Sequence, residues 1–130
     1  MSSILIVEDH AILGKALARL LTEKAGENIV AVVGSAEEAI EKIPALQIDL
    51  VLVDVSLPNM NGIQLVAYLH QNFPQLACLI ITGHMIPFYL HRSLEAGARG
   101  YVLKDDVKGI LEGVKSVLDG ETYISEALRE

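Results

Sequence analysis

The chain has 130 residues and is 52% hydrophobic, enough for one domain with a full core and too short for two ordinary ones. Its net charge is −7, and the ten basic residues are scattered rather than aligned on one helix, which makes nucleic acid a poor direct partner. Cys78 is the only cysteine, so no intrachain disulfide can form, and its place in the apolar run LACLIIT suits a small buried hydrophobe.

The N-terminal stretch MSSILIVEDH has no basic segment and reaches an acidic pair after the short apolar run ILIV, so it reads as neither a signal peptide nor a membrane span. A cytoplasmic protein with no membrane partner is expected. Ile4–Val7 is the first candidate strand. The helix after it carries Leu13, Leu17 and Leu20 and ends near AGEN, where Gly26 suits a left-handed cap. Ile29–Val33 is the second strand. A second helix opens at SAEE, with Ser35 and Glu38 in the spacing of a capping box, and Pro44 should end it.

Leu50–Val53 forms the third strand, followed by the loop LPNMNG and a helix from Gly62 to about Asn72 that Asn61 can cap. Leu79–Ile81 is the fourth strand. Pro87 suits the first turn of a fourth helix carrying Leu90 and Leu94 and closed by Gly97. Tyr101–Leu103 is the fifth strand, and a fifth helix starting at KDD should bury Val107, Ile110, Val114 and Val117. Strands that are apolar throughout and alternate with helices predict an α/β fold, a doubly wound sheet of five parallel strands covered on both faces.

In such a sheet the carboxyl ends of the strands share one edge, where ligands bind. Glu8 and Asp9 follow the first strand, Asp54 the third, Thr82 the fourth and Lys104 the fifth. Crowded carboxylates repel unless a cation joins them, and an oxygen-rich site with few protein ligands suits Mg2+. A carboxylate in that setting is a candidate nucleophile toward a phosphoryl group, with the Lys104 ammonium and the Thr82 hydroxyl as clamps on its oxygens.

In order, residue type and context, these residues resemble the receiver domains of bacterial two-component response regulators, across nearly the whole chain. The resemblance implies a flavodoxin-like, CheY-like (βα)5 fold with strand order 2-1-3-4-5. It implies an acidic pair at Glu8 and Asp9, a phosphoacceptor at Asp54, a switch hydroxyl at Thr82, a switch aromatic at Tyr101 and the family lysine at Lys104. It further implies Mg2+ held by Asp9, Asp54 and the carbonyl of Ser56 beside Glu8, and a sensor histidine kinase as phosphoryl donor. The chain is then a phosphoacceptor that assists its own phosphorylation and dephosphorylation, not an enzyme in the usual sense.

The fragment GARGYVLKDD and the later GETYIS resemble the NarL/FixJ subgroup, whose receivers precede a LuxR-type helix-turn-helix domain. Residues 1–120 are therefore expected to form the receiver, and residues 121–130 to begin a linker to a DNA-binding domain missing here. DNA would be contacted only through that domain, and a phosphorylation-dependent homodimer is implied. A stand-alone receiver that docks on a protein partner is the alternative. A dehalogenase-type phosphatase would need a second acid where Ser56 stands, and a flavodoxin would need a phosphate-cradling loop where EDHAIL supplies acids. In HMIPF, residues 84–88, Met85, Ile86 and Phe88 are expected to pack inward, with an apolar partner patch as the alternative. His10, His70, His84 and His91 show no ligand-like clustering and are assigned no chemistry.

Overall fold

Runs of β-branched and leucine side chains with no polar interruption can settle only where both faces are covered. The computed structural model, which describes residues 1–83 and 87–129, builds them into one parallel sheet. Its strands are β1 (Ser3–Val7), β2 (Asn28–Val33), β3 (Leu50–Asp54), β4 (Ala77–Thr82), β5 (Gly100–Leu103) and β6 (Tyr123–Ile124), in spatial order β2-β1-β3-β4-β5-β6. The first five follow the expected order. The sixth is an addition: two residues of the C-terminal segment pair in parallel with Gly100 and Tyr101.

The helices are α1 (Ala11–Ala25), α2 (Ala36–Lys42), α3 (Gly62–Asn72), α4 (Pro87–Ala96) and α5 (Val107–Leu118). Alternation along each strand divides the core into two layers. Leu5, Val7, Val51, Val53, Ile80 and Tyr101 face α2, α3 and α4, whereas Ile4, Ile6, Leu50, Leu52, Leu79 and Val102 face α1 and α5. Cys78 belongs to the first layer, and burial pushes its thiol pKa up to about 12.

Helix ends follow local chemistry. Gly26 closes α1 at φ 67°, a left-handed conformation that costs glycine little. Asn61 and Gln64 form a reciprocal capping box on α3. On α2 only half of the expected box is present: Ser35 accepts from the Glu38 N–H, but the Glu38 carboxylate accepts from Gly34 N–H instead. Pro44 falls in a 3-10 turn over Ile43–Ala45 directly after α2, as its missing donor requires.

Two expectations about packing are corrected. Val107 is 52% exposed, because it opens α5 just after the Asp106 cap, and the buried stripe starts only at Gly109 and Ile110. Phe88 is 62% exposed rather than packed inward; its ring lies beside Tyr89, with the Arg92 guanidinium 5.9 Å from the ring centre. Met85 and Ile86 lie outside the described residues. Helix α4 is lightly anchored, with Ser93 its one fully buried side chain and Leu94 at the surface.

Candidate functional site

Backbone bonds between neighbouring strands bring the residues after each apolar run to a common rim. Glu8 N–H donates to Val33 O at 2.9 Å, Val55 N–H to Ile81 O at 3.2 Å, and Lys104 N–H to Thr82 O at 2.8 Å. Glu8, Asp54 and Thr82 are buried along this rim, Asp9 and His10 are exposed at its mouth, and Lys104 reaches in from the turn after β5.

The Lys104 ammonium is shared by the two buried carboxylates, its Nζ lying 3.2 Å from Asp54 Oδ2 and 3.3 Å from Glu8 Oε1. It donates a well-directed hydrogen bond to Asp54 only; Glu8 Oε1 has the charge beside it but no hydrogen bond among the described residues. The second oxygen of each acid is held by backbone. Ser56 N–H donates to Asp54 Oδ1 and His10 N–H to Glu8 Oε2, both at 3.1 Å.

Burial pushes the Glu8 carboxyl above the usual glutamate range; the His10 N–H opposes this, the Asp54 charge adds to it, and Lys104 again opposes. For Lys104 partial burial acts downward, but attraction from Asp54 and then from Glu8 outweighs it, so the ammonium is held above the ordinary lysine value.

The loop carrying Ser56 runs close over Asp54. Gly62 N–H donates to Val55 O at 3.0 Å, and a Cβ at Gly62 would run into the carbonyl oxygen of Asp54 and the Cα of Val55. Only glycine permits that approach, so Gly62 sets the position of the loop. Asn59 takes φ 61° in the same loop, a left-handed conformation that asparagine tolerates.

Thr82 and Tyr101 share the α4 side of the sheet, since Ile80 pairs with Tyr101 and Thr82 lies two residues further along β4. Tyr101 is fully buried. Burial raises its phenol pKa and the nearby Thr82 hydroxyl offsets part of that, although the phenol oxygen has no well-formed hydrogen bond among the described residues. The aromatic thus occupies the inward position behind Thr82.

Glu8, Asp9, His10 and Asp54 each present a possible ligand atom, all within 4.8 Å of one another. His10 is the member that sequence reasoning set aside: its Nδ1 is 3.4 Å from Glu8 Oε2 and 3.5 Å from Asp9 Oδ1. Its place directly after the acidic pair was the available signal. The donor set fits a hard divalent cation: Asp54 oxygens lie inside, Asp9 stands where waters can complete a shell, and Glu8 adds a buried carboxylate behind them.

The family model for the response regulator receiver domain matches residues 4–115. The chain belongs to that family. Among curated proteins, this receiver domain is 35% identical over 126 residues to the DNA-binding transcriptional activator DevR/DosR of Mycobacterium tuberculosis, covering 95% of this chain and 58% of that protein. It is 34% identical over 126 residues to the transcriptional activator protein ExaE of Pseudomonas putida, covering 96% of this chain and 59% of the relative. The chain thus spans little more than half the length of these relatives. Among solved structures, a two-component response regulator of the LuxR family from Aurantimonas superposes with a TM-score of 0.94 at 29% identity, covering 98% of this chain and 92% of the other. The isolated receiver domain of RcsB from Salmonella enterica, in the presence of a beryllium fluoride phosphomimetic, has the same fold, with a TM-score of 0.89 at 22% identity, covering 98% of this chain and 95% of that one. Among the described residues no helix is long and apolar enough to cross a membrane.

Proposed function

We propose that Asp54 is the phosphoacceptor of this receiver domain and that a sensor histidine kinase is its donor. The observation that carries the reading is a buried aspartate at a strand end, with one oxygen 3.2 Å from the Lys104 ammonium and three further donor groups within 4.8 Å. In the transfer an Asp54 carboxylate oxygen forms a bond to phosphorus, the bond from phosphorus to the donor's imidazole nitrogen breaks, and that nitrogen leaves with the electron pair and takes up a proton. The protein's part is placement and charge compensation. Lys104 holds the carboxylate before transfer and offers its charge to the phosphoryl oxygens afterwards, and Thr82 offers a hydroxyl on the same rim. Asp9, Asp54 and the carbonyl of Ser56 are the residues we assign to Mg2+, with Glu8 behind them; when bound, the ion supplies positive charge against the phosphoryl oxygens.

The group formed carries roughly −1.5 to −2 charge and strong acceptors, enough to draw on Thr82 and bias the surface of α4 and β5 behind it. We place this domain at the head of a transcriptional regulator, with DNA bound by a further domain and with phosphorylation favouring a homodimer. The support is that its relatives are transcriptional activators of which it matches little more than half. The cytoplasm, which holds the ATP that charges such kinases, is the compartment we assign. Incubation with acetyl phosphate, with and without Mg2+, tests the phosphoacceptor role by intact mass. One added phosphoryl group that needs Mg2+ is expected; no gain with the metal present would overturn the assignment.

A further inference from the structure

Ser125 lies ten residues beyond the last position that the family model matches, yet it is fully buried. Its backbone N–H donates to Tyr101 O at 3.0 Å, which continues the pairing of β6 on β5. Its hydroxyl is then used twice: Oγ accepts from Leu103 N–H at 3.0 Å and donates to Asp106 Oδ2 at 2.8 Å. Just past the short β6, the Ser125 side chain meets the Leu103 N–H and so extends the bonding to β5 by one more residue. The other carboxylate oxygen of Asp106 accepts from Gly109 N–H at 2.8 Å and caps α5.

These bonds enclose one residue from both sides. Leu103 precedes Lys104, Asp106 follows it by two, and Asp106 N–H closes the turn on Leu103 O at 3.1 Å. The reach of the Lys104 ammonium to Asp54 and Glu8 depends on where this turn sits, because a four-carbon stem corrects backbone errors only by giving up its geometry. We infer that Ser125, acting through Asp106 and the Leu103 amide, is a positioning residue for Lys104. The segment that carries β6 thereby sets the geometry of the phosphorylation site. The bonding is cooperative, since one hydroxyl acts as donor and acceptor at once, and a buried network of this kind holds its members rigidly only when it is complete.

The inference rests on the phosphoacceptor reading of Asp54. Its test compares the full chain with Ser125→Ala, by acetyl phosphate phosphorylation rate and by Mg2+ affinity from calorimetry. Ser125→Ala leaves the Leu103 amide and an Asp106 oxygen without their partner and frees the turn. The phosphorylation rate constant should fall about ten-fold or more, since misplacing a group by about 1 Å costs up to about a hundred-fold. Mg2+ affinity should not fall, because the residues assigned to the ion are on other strands and a displaced Lys104 ammonium competes less with the cation for Asp54. A purely structural serine would lower the melting temperature and leave the rate of the folded protein unchanged, and that result would overturn the inference. If Ser125→Ala does not fold by circular dichroism, Asp106→Asn decides: it keeps a good helix cap and removes the charged acceptor of the hydroxyl. The same split is expected of it, and an unchanged rate would be equally contrary. Failure of the wild-type chain to take up phosphate would instead remove the Asp54 reading itself.

Discussion

Replacing Lys104 with alanine takes away the ammonium that two buried carboxylates share. At 3.2 Å and 3.3 Å, each contact represents roughly 5 kcal/mol of gross attraction at an effective dielectric of about 20. Much of this only offsets the cost of removing the ions from water, and with the Lys104 side chain 23% exposed solvent screens a further part. A net loss of about 2–4 kcal/mol at neutral pH remains, below the usual penalty for stranding a fully buried charge. For a domain of this size that is a fall in Tm of about 8–16 °C.

The pH dependence follows from Glu8. Its folded-state pKa already lies above the ordinary 4.5 and rises further without Lys104. Between 4.5 and the raised value, the folded variant binds a proton that the unfolded chain does not, so its stability increases as pH falls through that window. The deficit relative to wild type is therefore largest at neutral pH and shrinks in acid. Lys104 also has a raised pKa, so its contribution in the wild type is complete below 10.5 and is lost only as pH rises through the folded value. Thermal melts by far-ultraviolet circular dichroism at about pH 7 and about pH 5 measure the loss at neutral pH and its shrinkage in acid. An unchanged Tm at neutral pH, or a deficit that widens in acid, would refute the reasoning.

Gly62→Ala should cost about 2–4 kcal/mol in chemical denaturation, because the new methyl meets backbone of Asp54 and Val55 that cannot rotate away; a neutral or stabilising result would show that the loop relaxes freely. Asp9→Asn should leave the metal-free protein as stable as before or up to about 1 kcal/mol more so, by relieving repulsion in the acidic cluster. Calorimetry on the same variant should find weakened Mg2+ binding, and a large loss of metal-free stability would mean that Asp9 is chiefly structural. Cys78, with its thiol pKa near 12 and its place in the core, should resist iodoacetamide in the native protein at neutral pH and react only as the chain unfolds.

What could be read in the amino-acid order depended on how local its cause was. Each of the five longer strands carries a continuous apolar run, and caps such as Gly26, Asn61 and the stop at Pro44 depend on their own few residues. Val107 departs from the helical stripe because that spacing extends one turn past the sheet that would cover it. Strand β6 has only two residues, too short for any periodic signal, and forms because β5 offers it an edge. The convergence of Glu8, Asp54 and Lys104 was foreseeable from strand ends alone, since a parallel sheet delivers them to one rim. The grip of Ser125 on Leu103 was not, because it depends on backbone from a distant element.

The most direct measurement is the location of the phosphoryl group. Wild type and Asp54→Asn are incubated with acetyl phosphate and Mg2+, then reduced with borohydride, which turns a phosphorylated aspartate into homoserine, and the peptides are mapped by mass. Homoserine at position 54 in the wild type, and nowhere in the Asp54→Asn chain, is the predicted result. Homoserine at another acidic residue, or a phosphoryl group retained by Asp54→Asn, would contradict it.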